Sequence, residues 1–227
     1  MTAIAAEETP PVPAGVTASV VRGTKSYWTG GAEVRVLDGV TVDFPAGSLT
    51  ALMGPPGSGK STLVRCASGM ERLTAGRVYI GDTNLGELDD RERVLLRRRR
   101  VGFLFQAPSL LAPPAGQPLP PKNLAGTRAV VRAGGRPGPG PDVVFVDEPA
   151  CRAERAVDTD ALAFLLATAE GLCATVVAVT HDPRVASHAH RVVFLDAGRV
   201  VATLEDPTED GVRERVLSLG RDRGAAP

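Results

Sequence analysis

The segment Gly54-Pro55-Pro56-Gly57-Ser58-Gly59-Lys60-Ser61-Thr62 organises this chain. It follows a short apolar run, Ser48–Met53 (SLTALM), that reads as a buried strand, and it leads into Thr62–Met70, which reads as the start of a helix. The order strand, glycine-rich turn, helix matches the pattern G-x-x-x-x-G-K-[ST]. Glycines let the backbone curl so that successive N–H groups converge on an anion, and the positive end of the following helix adds to the attraction. Lys60 would then reach the β- and γ-phosphates of a nucleotide, and the Ser61 hydroxyl would hold Mg²⁺. A glycine-rich turn with a chance lysine is the bland alternative. The chain has only three lysines, Lys25, Lys60 and Lys122, which weighs against chance at this position.

With 227 residues the chain is long enough for one domain with a real core. Acidic and basic residues balance at 26 each, so no overall field draws in nucleic acid or an anionic membrane. Cys66, Cys151 and Cys173 are scattered and lack C-x-x-C spacing, which fits small core residues in a reducing compartment better than a disulfide or zinc framework. The first residues carry Glu7 and Glu8 and no basic segment or long apolar block, unlike a secretory signal, and no apolar run is long enough to span a bilayer. The expectation is a soluble, cytoplasmic chain without direct membrane insertion.

Residues 1–15 read as a loose tail ahead of a single domain over 16–227. Val16–Arg22 and Glu33–Phe44 read as strands, with a turn at Trp28–Ala32 between them. Gly76–Gly81 alternates apolar residues as a strand does, Leu85–Arg100 reads as a charged helix, and Val101–Phe105 as a strand. The arginine run Arg97–Arg100 fits cations complementing a helix C-terminus better than a nucleic-acid site. Residues 112–141 hold prolines alternating with glycines and no sustained apolar period, an uncommon stretch inside a domain. Further on, Asp142–Val146 and Ala174–Thr180 read as strands, and Asp158–Gly171 between them as an amphipathic helix. Arg191–Leu195 and Arg199–Leu204 read as strands around Asp196-Ala197-Gly198, and Glu209–Leu219 as a terminal helix. Apolar strands alternating with helices predict an α/β fold with a mostly parallel sheet covered on both faces.

Further polar residues fall at strand ends. The strand before Asp147 and Glu148 would place an Asp that holds Mg²⁺ through water and a Glu that polarises an attacking water. His181, directly after an apolar strand, would contact the γ-phosphate, and Gln106, ending GFLFQ, would approach Mg²⁺ and the water. Tyr27 would stack on adenine. Taken singly, a surface histidine, a surface amide and a half-buried tyrosine are the commoner readings; their order along the chain promotes them.

That order resembles the ATP-binding subunits of ABC transporters. In the family's terms Tyr27 matches the adenine-stacking aromatic, Gly54–Thr62 the Walker A loop and Gln106 the Q-loop. Asp147 and Glu148 match the Walker B Asp and catalytic Glu, and His181 the switch histidine. The runs SYWTGGAEVRVLDGVTV, LTALMGPPGSGKSTLVRCASGMERLTAGRVYIG, VGFLFQAPSLL and VVAVTHDPRVASHAHRVVFLDAGRV look like the macrolide-export and lipoprotein-release branch. The resemblance implies a P-loop NTPase core with an antiparallel β subdomain, and ATP with Mg²⁺ as ligands. It also implies transmembrane permease subunits as partners, a dimer with itself or a second ATP-binding subunit, and a place on the inner face of the cell membrane. Nucleic acid is not an implied partner.

The chain departs from the family where a helical subdomain and an LSGGQ signature would lie. Only 41 positions separate Gln106 from Asp147, and the nearest trace of the signature is Leu124-Ala125-Gly126-Thr127-Arg128. Residues 112–141 thus stand where most of the helical subdomain would be, so that subdomain is expected to be largely missing. In the family, each signature loop completes the other subunit's ATP site, and one lost donor of this kind costs about 2.7–4 kcal/mol. Two readings follow: an ATP hydrolase that powers transport, or a catalytically impaired ATP-binding module, as heterodimer partner or decayed copy, in which ATP controls association only.

Overall fold

Apolar residues mark the strands in two ways, in alternation or in unbroken runs, and each way builds a sheet. The structure, a computed structural model, describes residues 15–104, 142–146 and 175–224. The expected loop at 112–141, the helix at 158–171 and residues 1–14 lie outside the described residues.

Strands β1 (Val16–Thr29), β2 (Ala32–Pro45), β4 (Ala75–Ile80) and β5 (Thr83–Asn84) form an antiparallel sheet in the order β2-β1-β4-β5. The second sheet has the order β10-β9-β3-β8-β7-β6. It comprises β3 (Leu49–Met53), β6 (Val101–Leu104), β7 (Val143–Val146), β8 (Thr175–Val179), β9 (Arg191–Asp196) and β10 (Arg199–Glu205). All its neighbouring pairs are parallel except β9 with β10. Among the described residues, helices α1 (Lys60–Ala67), α2 (Asp90–Arg100), α3 (Pro183–Ala186) and α4 (Glu209–Gly224) complete the order.

The parallel strands look uniformly apolar in sequence because both faces are covered. Their period of two reappears in the packing. Leu52, Val143, Phe145, Val177, Val179, Val193 and Leu195 face a core shared with α1 and the antiparallel sheet. Their neighbours Ala51, Met53, Val144, Val146, Val176, Ala178, Val192 and Phe194 face a second core with Val185 of α3 and Val212 and Leu219 of α4. Phe145 sits centrally in the first core, edge-on to Phe44 and stacked with Phe103. Each buried Val, Leu, Met or Phe among these contributes about 1.5–3 kcal/mol.

Among the described residues the predicted elements recur with shifted ends. The first two strands run on toward each other, and the expected turn at Trp28–Ala32 shrinks to Gly30-Gly31, at φ 60° and 83°, the backbone a tight hairpin requires. Register shifts around Gly23 and a positive φ at Arg22 carry β1 past the glycine that looked like its end. The charged helix starts at Asp90 and not at Leu85. Asp89 and Glu92 form a reciprocal capping box there, while Leu85 is buried beyond the β4–β5 hairpin, a strand pair too short to leave a pattern. The first helix begins at Lys60, two residues earlier than its periodicity indicated.

Candidate functional site

The loop between β3 and α1 sits at the C-terminal edge of the parallel strands, where open α/β sheets place their ligands. Two glycines are required there. A Cβ on Gly54, at φ 146°, would stand 2.0 Å from the Leu195 carbonyl oxygen; one on Gly59, at φ 99°, would stand 2.8 Å from that of Val36. The loop also leans on the β9–β10 turn. The Gly198 N–H donates to the Ser58 carbonyl at 3.1 Å, and the Asp38 N–H donates to the Gly198 carbonyl at 2.9 Å. Asp38 in turn accepts from Arg199, and the Arg199 and Arg35 guanidiniums hold its carboxyl below the usual range. Backbone bonds thus connect β2, the turn and the loop.

Lys60 is 6% exposed, and its ammonium donates to the carbonyls of Gly54 and Pro55 at 2.9 Å each and to the Ser58 hydroxyl at 3.3 Å. These bonds bend the side chain back over the loop that carries it. Ser61 is exposed beside it and Thr62 half-buried. The N-terminus of α1 is unlike those of its neighbours. Asp89 caps α2 and Asp182 caps α3, whereas α1 starts at a left-handed Gly59 with no side-chain cap and no acid in its first turn. An uncapped helix start with a buried lysine beneath it suits an anion.

Tyr27 lies on β1, half-buried beside α1. Its hydroxyl donates to Glu71 Oε2 at 2.5 Å, and Lys25 Nζ stands 5.0 Å from its ring centroid. Burial, then Glu71, raise its pKa, against a lowering hydrogen bond with Thr62 of α1. Its cross-strand partner Val34 is 48% exposed on the same face of the ladder. His181 is exposed directly beyond β8, next to the strand that feeds the loop, with the Thr180 N–H donating to the Leu52 carbonyl at 3.2 Å. Strand β7 ends at Val146 beside β8. Asp147 and Glu148, like Gln106, lie outside the described residues, as does the trace Leu124–Arg128. The structure therefore brings the phosphate-loop residues and Tyr27 around α1, and places His181 at the adjoining strand end.

Sequence reasoning missed Glu71 and His190. His190 Nδ1 accepts the Leu49 N–H at 3.0 Å while the His190 N–H donates to the Leu49 carbonyl, tying β9 to β3. Neither residue belongs to a motif, and their partners are remote in sequence.

The parallel sheet, the loop and α1 define a P-loop NTPase fold. The ABC transporter family model matches residues 37–115. The lipoprotein-releasing system ATP-binding protein LolD of Anaeromyxobacter dehalogenans is 32% identical, over 78% of this chain and 90% of that protein. LolD of Chromohalobacter salexigens is 30% identical over the same shares. The macrolide export ATP-binding/permease protein MacB of Burkholderia thailandensis is 30% identical over 85% of this chain, which spans 35% of that longer protein. An ATP-binding cassette solved as a dimer in a post-hydrolysis state, bound to ADP and Pi, superposes with a TM-score of 0.67 at 24% identity, covering 84% of this chain and 99% of that one. The chain belongs to the ABC transporter family.

Proposed function

We propose that this chain is the ATP-binding subunit of an ABC transporter, binding Mg²⁺-ATP and hydrolysing it to power export or lipoprotein release through separate membrane subunits. The observation that carries the reading is Lys60, buried and bonded to its own loop beneath an uncapped helix start. Lys60 and the N–H groups of Gly57–Ser61 hold the β- and γ-phosphates, and Tyr27 stacks on the base. An exposed hydroxyl at the first turn of α1 is a hard oxygen donor of the kind Mg²⁺ takes, so Ser61 fits the ion, with Gln106 and Asp147 as the further holders that the family pattern indicates. When bound, Mg²⁺ offsets phosphate charge as the γ-phosphoryl departs. Glu148 orients and polarises the attacking water, and His181 contacts the γ-phosphate. The subunit works as a dimer with itself or a second ATP-binding subunit, at the inner face of the cell membrane.

The impaired-module reading is favoured by one observation, Ala125, Thr127 and Arg128 where the signature has serine, glycine and glutamine. Steady-state ATP turnover with Glu148→Gln as the matched blank separates the two. Turnover that rises with the square of protein concentration and vanishes in the variant supports a hydrolysing dimer. Turnover equal to the blank, with ATP still bound, replaces that reading with the module that ATP only assembles.

A further inference from the structure

Besides its hydrogen bond with Thr62, the Tyr27 side chain is held by groups outside the phosphate loop. Glu71 Oε2 accepts its hydroxyl at 2.5 Å, lies 3.8 Å from Lys25 Nζ, and Glu71 Oε1 lies 3.5 Å from the Arg65 guanidinium. Lys25 also donates to the Arg72 carbonyl at 2.8 Å, which fixes its ammonium near the Tyr27 ring. The carboxylate is anchored from behind. The N–H groups of Met70 and Glu71 both donate to the Arg65 carbonyl, at 2.9 and 3.1 Å, folding the chain back on the last turn of α1. Its first turn holds Lys60 and Ser61. A short path of bonds thus joins the aromatic ring to the helix that carries the phosphate-facing residues.

We propose that Glu71 is a positioning residue for base recognition: it takes the Tyr27 hydrogen bond and, with Lys25 at one ring face, fixes the aromatic platform to α1, so that base and phosphate sites keep one spacing. The inference rests on the reading of Tyr27 and Gly54–Thr62 as a nucleotide site. A stacking ring free to change rotamer would lose that freedom each time a base bound; a ring locked beforehand does not. Lys25 at one face commits the base to the other. An ion-pair cluster with a purely structural role would affect stability and leave the preference for a base-bearing ligand alone.

The test titrates the full chain with Mg²⁺-ATP and with inorganic tripolyphosphate, in the wild type, Tyr27→Phe, Glu71→Ala, Glu71→Gln and the double variant Tyr27→Phe/Glu71→Ala. Tyr27→Phe and Glu71→Ala are each expected to weaken ATP by about three- to tenfold, the scale of the net contribution of one hydrogen bond, with tripolyphosphate within about twofold. Glu71→Gln keeps an acceptor oxygen and recovers most of the affinity. The double variant binds as Tyr27→Phe alone does, because losing the hydroxyl already removes its bond to Glu71. Losses that multiply in the double variant, or equal losses for both ligands, overturn the proposal. So does ATP affinity unchanged in Tyr27→Phe, a variant that keeps the ring and tests the idea even if Glu71→Ala fails to fold. Wild-type protein that binds neither ligand would instead sink the nucleotide-site reading itself.

Discussion

At the scale of single residues, the loop contrasts two glycines with different reasons for being there. Gly54 has both a φ of 146° and a carbonyl 2.0 Å from any added Cβ, whereas Gly57 has a φ of 77° and open space. Gly54→Ala is therefore expected to cost roughly 2–5 kcal/mol, from backbone strain and overpacking together, and Gly57→Ala only about 1–2 kcal/mol from strain. Urea unfolding of both variants checks this, and equal losses would contradict it. Cys66 makes a second prediction. It is fully buried, and burial pushes its thiol up to about 12. The folded state thus holds that proton more tightly than the unfolded chain, so its contribution to stability is complete below about pH 9 and is lost as pH rises toward 12, by at most about 1.4 kcal/mol per pH unit. In a Cys151→Ser/Cys173→Ser background, iodoacetamide at pH 8 should leave Cys66 unmodified until denaturant is added. Modification of native Cys66 at the rate of the unfolded chain would refute its burial. At this scale the sequence was legible where a motif fixes the spacing, as in Gly54–Thr62. It was illegible where a partner lies far along the chain: Tyr27 meets Glu71 after 44 residues and Leu49 meets His190 after 141.

At the scale of elements, the arginine run that closes α2 divides into two kinds of residue. Arg98 and Arg99 are exposed, as expected of cations on a solvated helix end. Arg100 instead bonds Asp142 at the start of β7 and donates to the Ile80 carbonyl at 3.1 Å, so it links the edge of the parallel sheet to β4 of the antiparallel one. The ion pair is partly solvent-exposed and screened, which leaves the bond to the carbonyl as the larger part. Arg100→Ala is expected to lower stability by about 1–2 kcal/mol, and Arg99→Ala to stay within about 0.5 kcal/mol. Chemical denaturation midpoints compare them directly; matching values would return Arg100 to the solvated face. Composition cannot tell four identical residues apart, since only the position of β4 selects one of them. The same holds for boundaries. The parallel strands were legible because both faces are apolar, but Gly23 read as a break because nothing local shows that β1 continues through irregular pairing with β2 and β4. Leu85 read as helix because its burial comes from a hairpin of only two residues in β5.

At the scale of the molecule, α1 stands between the two sheets. Leu63, Val64, Cys66 and Ala67 belong to the core that also holds Val20 and Phe44 of the antiparallel sheet and Leu52 and Phe145 of the parallel one. The phosphate loop enters this helix and is bonded to the β9–β10 turn, which is bonded to β2. A ligand on the loop therefore stabilises a region that neither sheet can leave alone. The α/β class was legible from alternating apolar strands and helices, whereas this shared core was not, because the apolar alternation of β1 and β2 does not show which helix covers them. Mg²⁺-ATP at about 100 times its Kd should add about 2.7 kcal/mol, or a rise in Tm of roughly 5–11 °C for a chain of this length. The melt should remain one transition that moves as a whole. Lys60→Ala should melt with the same single transition and show no ATP shift, since the ammonium that meets the phosphates is gone. Differential scanning calorimetry distinguishes the alternatives. Two transitions, of which ATP moves only one, would show that the sheets unfold independently and that the core around α1 does not couple them. A full shift in Lys60→Ala would place ATP away from the loop.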